Sequence, residues 1–147
     1  IETSVGYQGG TTTAPTYQEV CTGATGHAEM VKVVFDADVV SVQEILRVFW
    51  ENHDPTQGNR QGNDIGTQYR SVIYWTTSEQ ESVAIETRDL FGRVLAEHKL
   101  GPITTEIASA EGHEYFLAEE YHQKYLQKNP AGYDCHSTTG FQLPASV

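Results

Sequence analysis

The sequence predicts an α+β domain, a two-layer sandwich of helices on a small mixed sheet with long polar loops and an irregular C-terminal tail. Three observations lead there. Short Val-rich runs alternate with segments of helical periodicity. The connections between them carry few hairpin signals. No repeat or linker divides the 147 residues, a length suited to one domain with its own core.

The elements follow in chain order. ETSVGYQGGTTTAPTY is a short apolar piece running into Gly, Thr and Pro, which reads as a strand end followed by a loop. His27 to Asp36 (HAEMVKVVFD) is Val-rich with imperfect alternation and predicts a strand. Ser41 is placed to cap a helix through about Glu51, with Glu44 completing a capping box and Val42, Ile45, Leu46 and Phe49 on one face. Arg70 to Trp75 predicts a strand. Ser78 with Glu81 opens a longer helix to about His98, with Val83, Leu90 and Val94 on its apolar side. Thr104 to Ala110 predicts a strand, and Leu117 to Asn129 a third helix closed by Asn-Pro and Gly132. The tail is irregular from Pro130. The expected core is ferredoxin-like.

Composition removes several function classes. Nine basic against twenty acidic residues give a formal charge of −11, which disfavours nucleic acid and anionic membrane surfaces. No apolar run approaches the roughly 18 residues that suggest a membrane span. Cys21 and Cys135 lack CxxC spacing and are too few for a disulfide scaffold, so they fit a reducing compartment, the cytoplasm or an organelle, or a pair that cycles. His27-Ala28-Glu29 matches half of a zinc deaminase signature, but the P-C-x-x-C half is absent. The six histidines lack ligand spacing, so no protein-held metal is expected. No glycine-rich phosphate loop and no G-x-S-x-G elbow occur.

Two features carry chemistry. Glu29 interrupts an apolar strand; if Val31 and Val33 face the core, alternation puts Glu29 on the same face. Burial would raise its pKa and let it serve as a general acid. A solvent-facing strand-end glutamate is the plainer reading, and strand logic alone favours it. The second feature is the loop ENHDPTQGNRQGNDIGTQYRS, from Glu51 to Ser71. So long a polar connection is uncommon unless functional or disordered. Asp54, Asn63, Asp64 and Tyr69 offer donors and acceptors, so the loop can wrap a pocket; a surface loop bonding its own backbone is the alternative. Cys135 with His136 could form a thiolate and its base, although a Gly/Ser/Thr-rich tail suits a travelling thiol better.

The segments VGYQGG, PTYQEVCTGATGHAE, VFWENHDPTQGNRQGNDIGTQYRS, GPITTEI and YHQKYLQKNPAGY together resemble the peptide-methionine (S)-S-oxide reductases. The likeness runs from Val5 to about Pro144, and GNDIGTQYRS and TGHAE are its most specific blocks. It implies an enzyme in which a cysteine thiolate attacks the sulfur of methionine-S-sulfoxide, protein-bound or free, and becomes a sulfenic acid. Glu29 then matches the acid that protonates the sulfoxide oxygen. Tyr17 and Tyr69 match the tyrosines that hydrogen-bond it, and Asp64 an aspartate lining the pocket. Cys135 matches the resolving cysteine, which forms a disulfide that thioredoxin reduces. The resemblance implies no cofactor beyond that dithiol, and a monomer that repairs oxidised proteins.

The sequence departs from the family pattern in two places. The tail reads GYDCHSTTGFQLP, with Gln142 where a further cysteine often stands, so a one-disulfide cycle is expected. The family's Gly-Cys-Phe-Trp nucleophile motif is absent; Phe49-Trp50 follows valine within a helix. With Ile1 first, the expectation is an N-terminally incomplete reductase domain lacking its first strand and helix, with residues 130–147 as a mobile tail, and inactive by itself. Two alternatives stand beside it: a remnant that binds methionine sulfoxide or a partner without reducing it, and Cys21 as a substitute nucleophile.

Overall fold

A computed structural model describes residues 1–130 and 137–145. Strand β1 (Glu2–Gln8) runs antiparallel to β2 (Ala28–Val34), with Tyr7 opposite Glu29. The other side of β1 meets the short β7 (Phe116–Leu117). A hairpin of β3 (Arg60–Gln61) and β4 (Asp64–Ile65) lies inside the long polar loop. The strand β5 (Val72–Trp75) pairs in parallel with β6 (Glu106–Ser109). Among the described residues the strands thus form three sheets, where the sequence suggested one mixed sheet.

Two helices arise where caps and periodicity place them. Ser41 caps α2 (Val42–Glu51) by accepting from the Glu44 N–H, and Thr77 caps α3 (Ser78–Glu97) one residue earlier than expected. Their apolar faces meet in the main core of Leu46, Trp50, Ala84, Phe91 and Leu95. The fully buried Trp50 donates its indole N–H to Thr87 Oγ1 at 2.9 Å. Leu143 joins this core from the C-terminal segment, tied down by its N–H to Glu51 (2.8 Å) and its carbonyl to Arg47 (2.9 Å).

The third expected helix is largely absent. The stretch 117–129 holds the end of β7, a 3₁₀ turn (Glu120–His122) and only one helical turn, α4 (Tyr125–Lys128). Tertiary hydrogen bonds compete successfully for its polar groups. The Gln123 carboxamide bonds both the N–H and the carbonyl of Val5, and Lys124 adopts a positive φ of 51° that breaks helical propagation. The described residues also include an unexpected helix, α1 (Tyr17–Cys21), set by a Thr16–Glu19 capping box.

The outer edges of β2 and β5 have no strand partner among the described residues, and both strands line one apolar groove of about 670 Å³. Val31, Val33, Ile45, Leu46, Ile73 and Trp75 form its walls. Val31 is 63% exposed there. The face that Glu29 shares with Val31 therefore opens onto the groove and is not buried in a core, which corrects the condition under which strand alternation would bury Glu29.

Candidate active site

The start of β2 is fixed by a buried histidine. His27 Nδ1 accepts from the Gly10 N–H (3.0 Å), and Nε2–H donates to the Thr12 carbonyl (2.7 Å). An added Cβ at Gly10 would come within 2.4 Å of the Thr25 carbonyl oxygen, so only glycine permits this approach. His27 is thus a latch between the loop after β1 and β2, and it sets the position of Glu29 two residues on.

Tyr17 is aimed by a hub that the sequence did not disclose. The Glu119 carboxylate accepts from the Tyr17 backbone N–H (3.0 Å), the Tyr7 hydroxyl (3.0 Å) and the Tyr121 hydroxyl (3.2 Å). Burial pushes its pKa up, but these donors favour the charged form and leave it below the usual range. The capping box anchors the same end of α1, and the Tyr17 ring rests on His122 with centroids 4.4 Å apart.

The polar loop is ordered largely by its own side chains. Asp54 accepts from Thr56 N–H (3.0 Å), Thr56 Oγ1 (2.6 Å) and Gln57 Nε2 (3.1 Å). The Gln61 carboxamide grips both backbone groups of Asp54. Asp54 is therefore loop scaffolding, and its pKa falls below the ordinary value because these donors outweigh burial. Gly66 has a φ of +149°, and a Cβ there would meet Gln68 Oε1 at 2.3 Å. The chain then closes into a 3₁₀ turn (Thr67–Tyr69) packed against β2, which delivers Tyr69.

The electrostatics tie these pieces into one site. Glu29 is exposed, as the solvent-facing reading expected, yet desolvation by the groups around its carboxyl, then the Asp64 carboxylate, raises its pKa to about 7. Tyr69 is pushed up by burial, then by Glu29, Cys21 and Asp64. Tyr17 is pushed up by a hydrogen bond with Cys21, then by burial, the Cys21 charge, Tyr69 and Glu29. Both phenols hence stay protonated as donors. Glu29 and Tyr69 line a 300 Å³ cavity with His53, Ser71 and Tyr74. A half-protonated carboxyl beside neutral phenols suits proton delivery to a polar oxygen.

The sequence profile of the peptide methionine sulfoxide reductases matches residues 1–144. This chain belongs to the peptide methionine sulfoxide reductase family. It is 53% identical over 145 residues to the human mitochondrial peptide methionine sulfoxide reductase, covering 99% of this chain and 61% of that protein. It is 56% identical over 142 residues to the peptide methionine sulfoxide reductase MsrA of Brucella ovis, covering 97% and 64%. The structure of methionine sulfoxide reductase A of Corynebacterium diphtheriae superposes with a TM-score of 0.84 at 47% identity, covering 98% of this chain and 72% of that one. The chain thus spans just over three fifths of the length of the curated relatives.

Of the residues that the peptide methionine sulfoxide reductase motifs single out, Glu29 and Tyr69 line one cavity, while Asp64 acts electrostatically on both and Tyr17 feels both. Cys135 lies outside the described residues. Cys21, the alternative nucleophile, is an exposed thiol whose influence reaches Tyr17 and Tyr69. Glu119 and His53 escaped the sequence reading, since nothing local marks a partner over 100 residues away or one across an 18-residue gap. Among the described residues, no three His, Cys, Asp or Glu side chains are grouped to hold a metal ion, and no helix is long and apolar enough to cross a membrane.

Proposed function

We propose that these residues form the oxygen-binding and proton-donating side of a site that reduces methionine-S-sulfoxide, free or in proteins, to methionine. The observation that carries this reading is the 300 Å³ cavity lined by both Glu29 and Tyr69, where burial and then Asp64 raise the Glu29 pKa to about 7. A sulfoxide oxygen leaves only when protonated. As a thiolate adds to the sulfur, Glu29 gives its proton to the oxygen, with Tyr17 and Tyr69 donating to that oxygen. The S–O bond then breaks as the hydroxyl passes to the cysteine sulfur and the electron pair of the transient S–S bond returns to the substrate sulfur, so the products are methionine and a sulfenic acid on the attacking cysteine. The Cys135 thiol condenses with that sulfenic acid, releasing water and leaving a disulfide, which the dithiol of thioredoxin reduces. No metal or prosthetic group takes part, and the enzyme works as a monomer in a reducing compartment, in the cytoplasm or an organelle.

In this reading residues 1–147 are one reductase domain, with 130–147 as a tail that carries the resolving thiol, and the attacking thiol comes from a segment outside them. The open groove between β2 and β5 offers room for a strand of that segment. A strand seated there would join the sheets into the two-layer, ferredoxin-like core that the sequence suggests. A second reading has Cys21 attack, favoured by its exposed thiol one helical turn on from Tyr17 along α1.

The test uses the 147-residue chain and N-acetyl-methionine-sulfoxide epimers. The S epimer should perturb the NMR signals of Glu29, Tyr17 and Tyr69 while the R epimer does not, with no methionine formed under dithiothreitol. Absence of S-epimer binding overturns the site assignment. Turnover that Cys21→Ser abolishes would instead establish Cys21 as nucleophile.

A further inference from the structure

His53 begins the polar loop and Ser71 ends it, and the two side chains meet. His53 Nε2 lies 2.8 Å from Ser71 Oγ, and Ser71 Oγ lies 2.7 Å from Thr105 Oγ1. On its other side His53 Nδ1 lies 2.5 Å from the Phe49 carbonyl at the end of α2. A carbonyl can only accept, so Nδ1 carries the proton and Nε2 accepts from the Ser71 hydroxyl. Ser71 in turn accepts from Thr105 at the foot of β6. The chain of bonds has one consistent direction, and the ring is wedged against Phe49 (4.3 Å) and Trp50 (6.3 Å between centroids).

We infer that His53 is a positioning residue which closes the base of the 53–71 loop and so holds Asp64 and Tyr69 against Glu29. Ser71 is buried and sits two residues after Tyr69; the Glu106 N–H holds its carbonyl (3.0 Å) and Gln68 ties the turn to the Cys21 carbonyl (3.3 Å), while the bond with His53 is the one that holds its side chain to the end of α2. Thr104 secures the loop separately through the Pro55 and Gln57 carbonyls (3.1 and 3.0 Å), which restrains its first half but not the turn bearing Tyr69. His53 also lines the 300 Å³ cavity with Glu29 and Tyr69, so its displacement would open the wall of that cavity directly. Burial holds the imidazole below its ordinary pKa, against the raising effects of the Phe49 carbonyl and Asp54, which keeps Nε2 an acceptor near neutrality. A neutral, doubly bonded histidine here has no proton-transfer duty of its own. Its work is mechanical, joining the end of α2 to the strands that flank the site.

The inference rests on the reading of Glu29, Asp64 and Tyr69 as one site, and its test avoids turnover altogether. The titration of the Glu29 carboxyl is followed by ¹³C NMR in the full 147-residue chain. The ionisable groups around it are Asp64, Tyr69, Tyr17 and Tyr7, with His53, Arg70 and Tyr74 lining the same cavity, so retreat of the loop removes both a neighbouring carboxylate and much of the desolvation. His53→Asn keeps an amide nitrogen for the Phe49 carbonyl but cannot reach Ser71. Ser71→Ala removes the same bond from the other side. Each should lower the Glu29 midpoint by about one pH unit, the size of effect that a neighbouring like charge produces. His53→Gln, whose amide reaches the Nε2 position, should restore most of the shift. A folded Ser71→Ala or His53→Asn chain with an unchanged Glu29 midpoint overturns the inference, as does an equal loss in His53→Gln. Should His53→Asn fail to fold, the milder Ser71→Ala decides. Failure of the sulfoxide to bind while Glu29 still responds would sink the function and leave the positioning role intact.

Discussion

At the scale of single residues, the proposed proton supply rests on Glu29. Its folded pKa of about 7 against an ordinary 4.5 means that the fold favours the protonated form. The stability linked to that proton is complete below about 4.5 and is lost as pH rises through about 7. Glu29→Gln should therefore gain stability relative to the parent as pH climbs past neutrality, read from paired urea melts at pH 5 and pH 8. In a competent reductase carrying these residues, the same change should lower kcat/KM by about 10²–10⁴, the usual contribution of a positioned acid. The parent rate should decline above pH 7 as Glu29 ionises. A Gln variant with the parent's rate and pH profile would show that the proton comes from elsewhere.

Single elements act as holders. The five-residue α1 is too short to persist alone, so Tyr17 depends on the Thr16–Glu19 box and on Glu119 from a distant segment. Thr16→Ala should cost about 1 kcal/mol of stability by denaturant titration. It should also broaden the Tyr17 ring signals, because the cap and the aim of the ring share one turn. The polar loop works the same way with different parts. Asp54 and Gln61 organise its first half, while Gly66 and the 3₁₀ turn present Tyr69. Gln61, Tyr69, Arg70 and Ser71 of the loop line the cavity, while Asp54 is spent on bonds within the loop, so wall and self-bonded structure describe different residues of one loop.

For the whole molecule, the C-terminal segment completes the core that supports the site. Leu143 is 2% exposed among Leu46, Trp50 and Phe91, and its backbone is held by Arg47 and Glu51. Leu143→Ala should cost about 2–5 kcal/mol, as truncation of buried leucines does. A loss well under 1 kcal/mol in urea unfolding would show that the segment leaves the core in solution. Stacking of Phe141 on His98, with centroids 4.1 Å apart, adds a second tie to the end of α3. The tail is consequently anchored beyond the residues that flank Cys135.

Much of this was legible in the sequence. Short-range signals sufficed for α2, α3 and β2, because capping and periodicity act within a few residues, and the TGHAE and GNDIGTQYRS blocks named the site residues by resemblance. The sequence by itself therefore determined the family and the main helices, and put forward Glu29 as the proposed acid. The tertiary structure alone decided that 117–129 would abandon its helix, because Glu119 and Gln123 find partners more than 100 residues away. It alone decided the titration of Glu29 as well. Strand alternation predicts a face, but desolvation and the Asp64 carboxylate depend on where a separate loop comes to rest. That resting place is set by hydrogen bonds between residues far apart in the chain, to which local periodicity is blind.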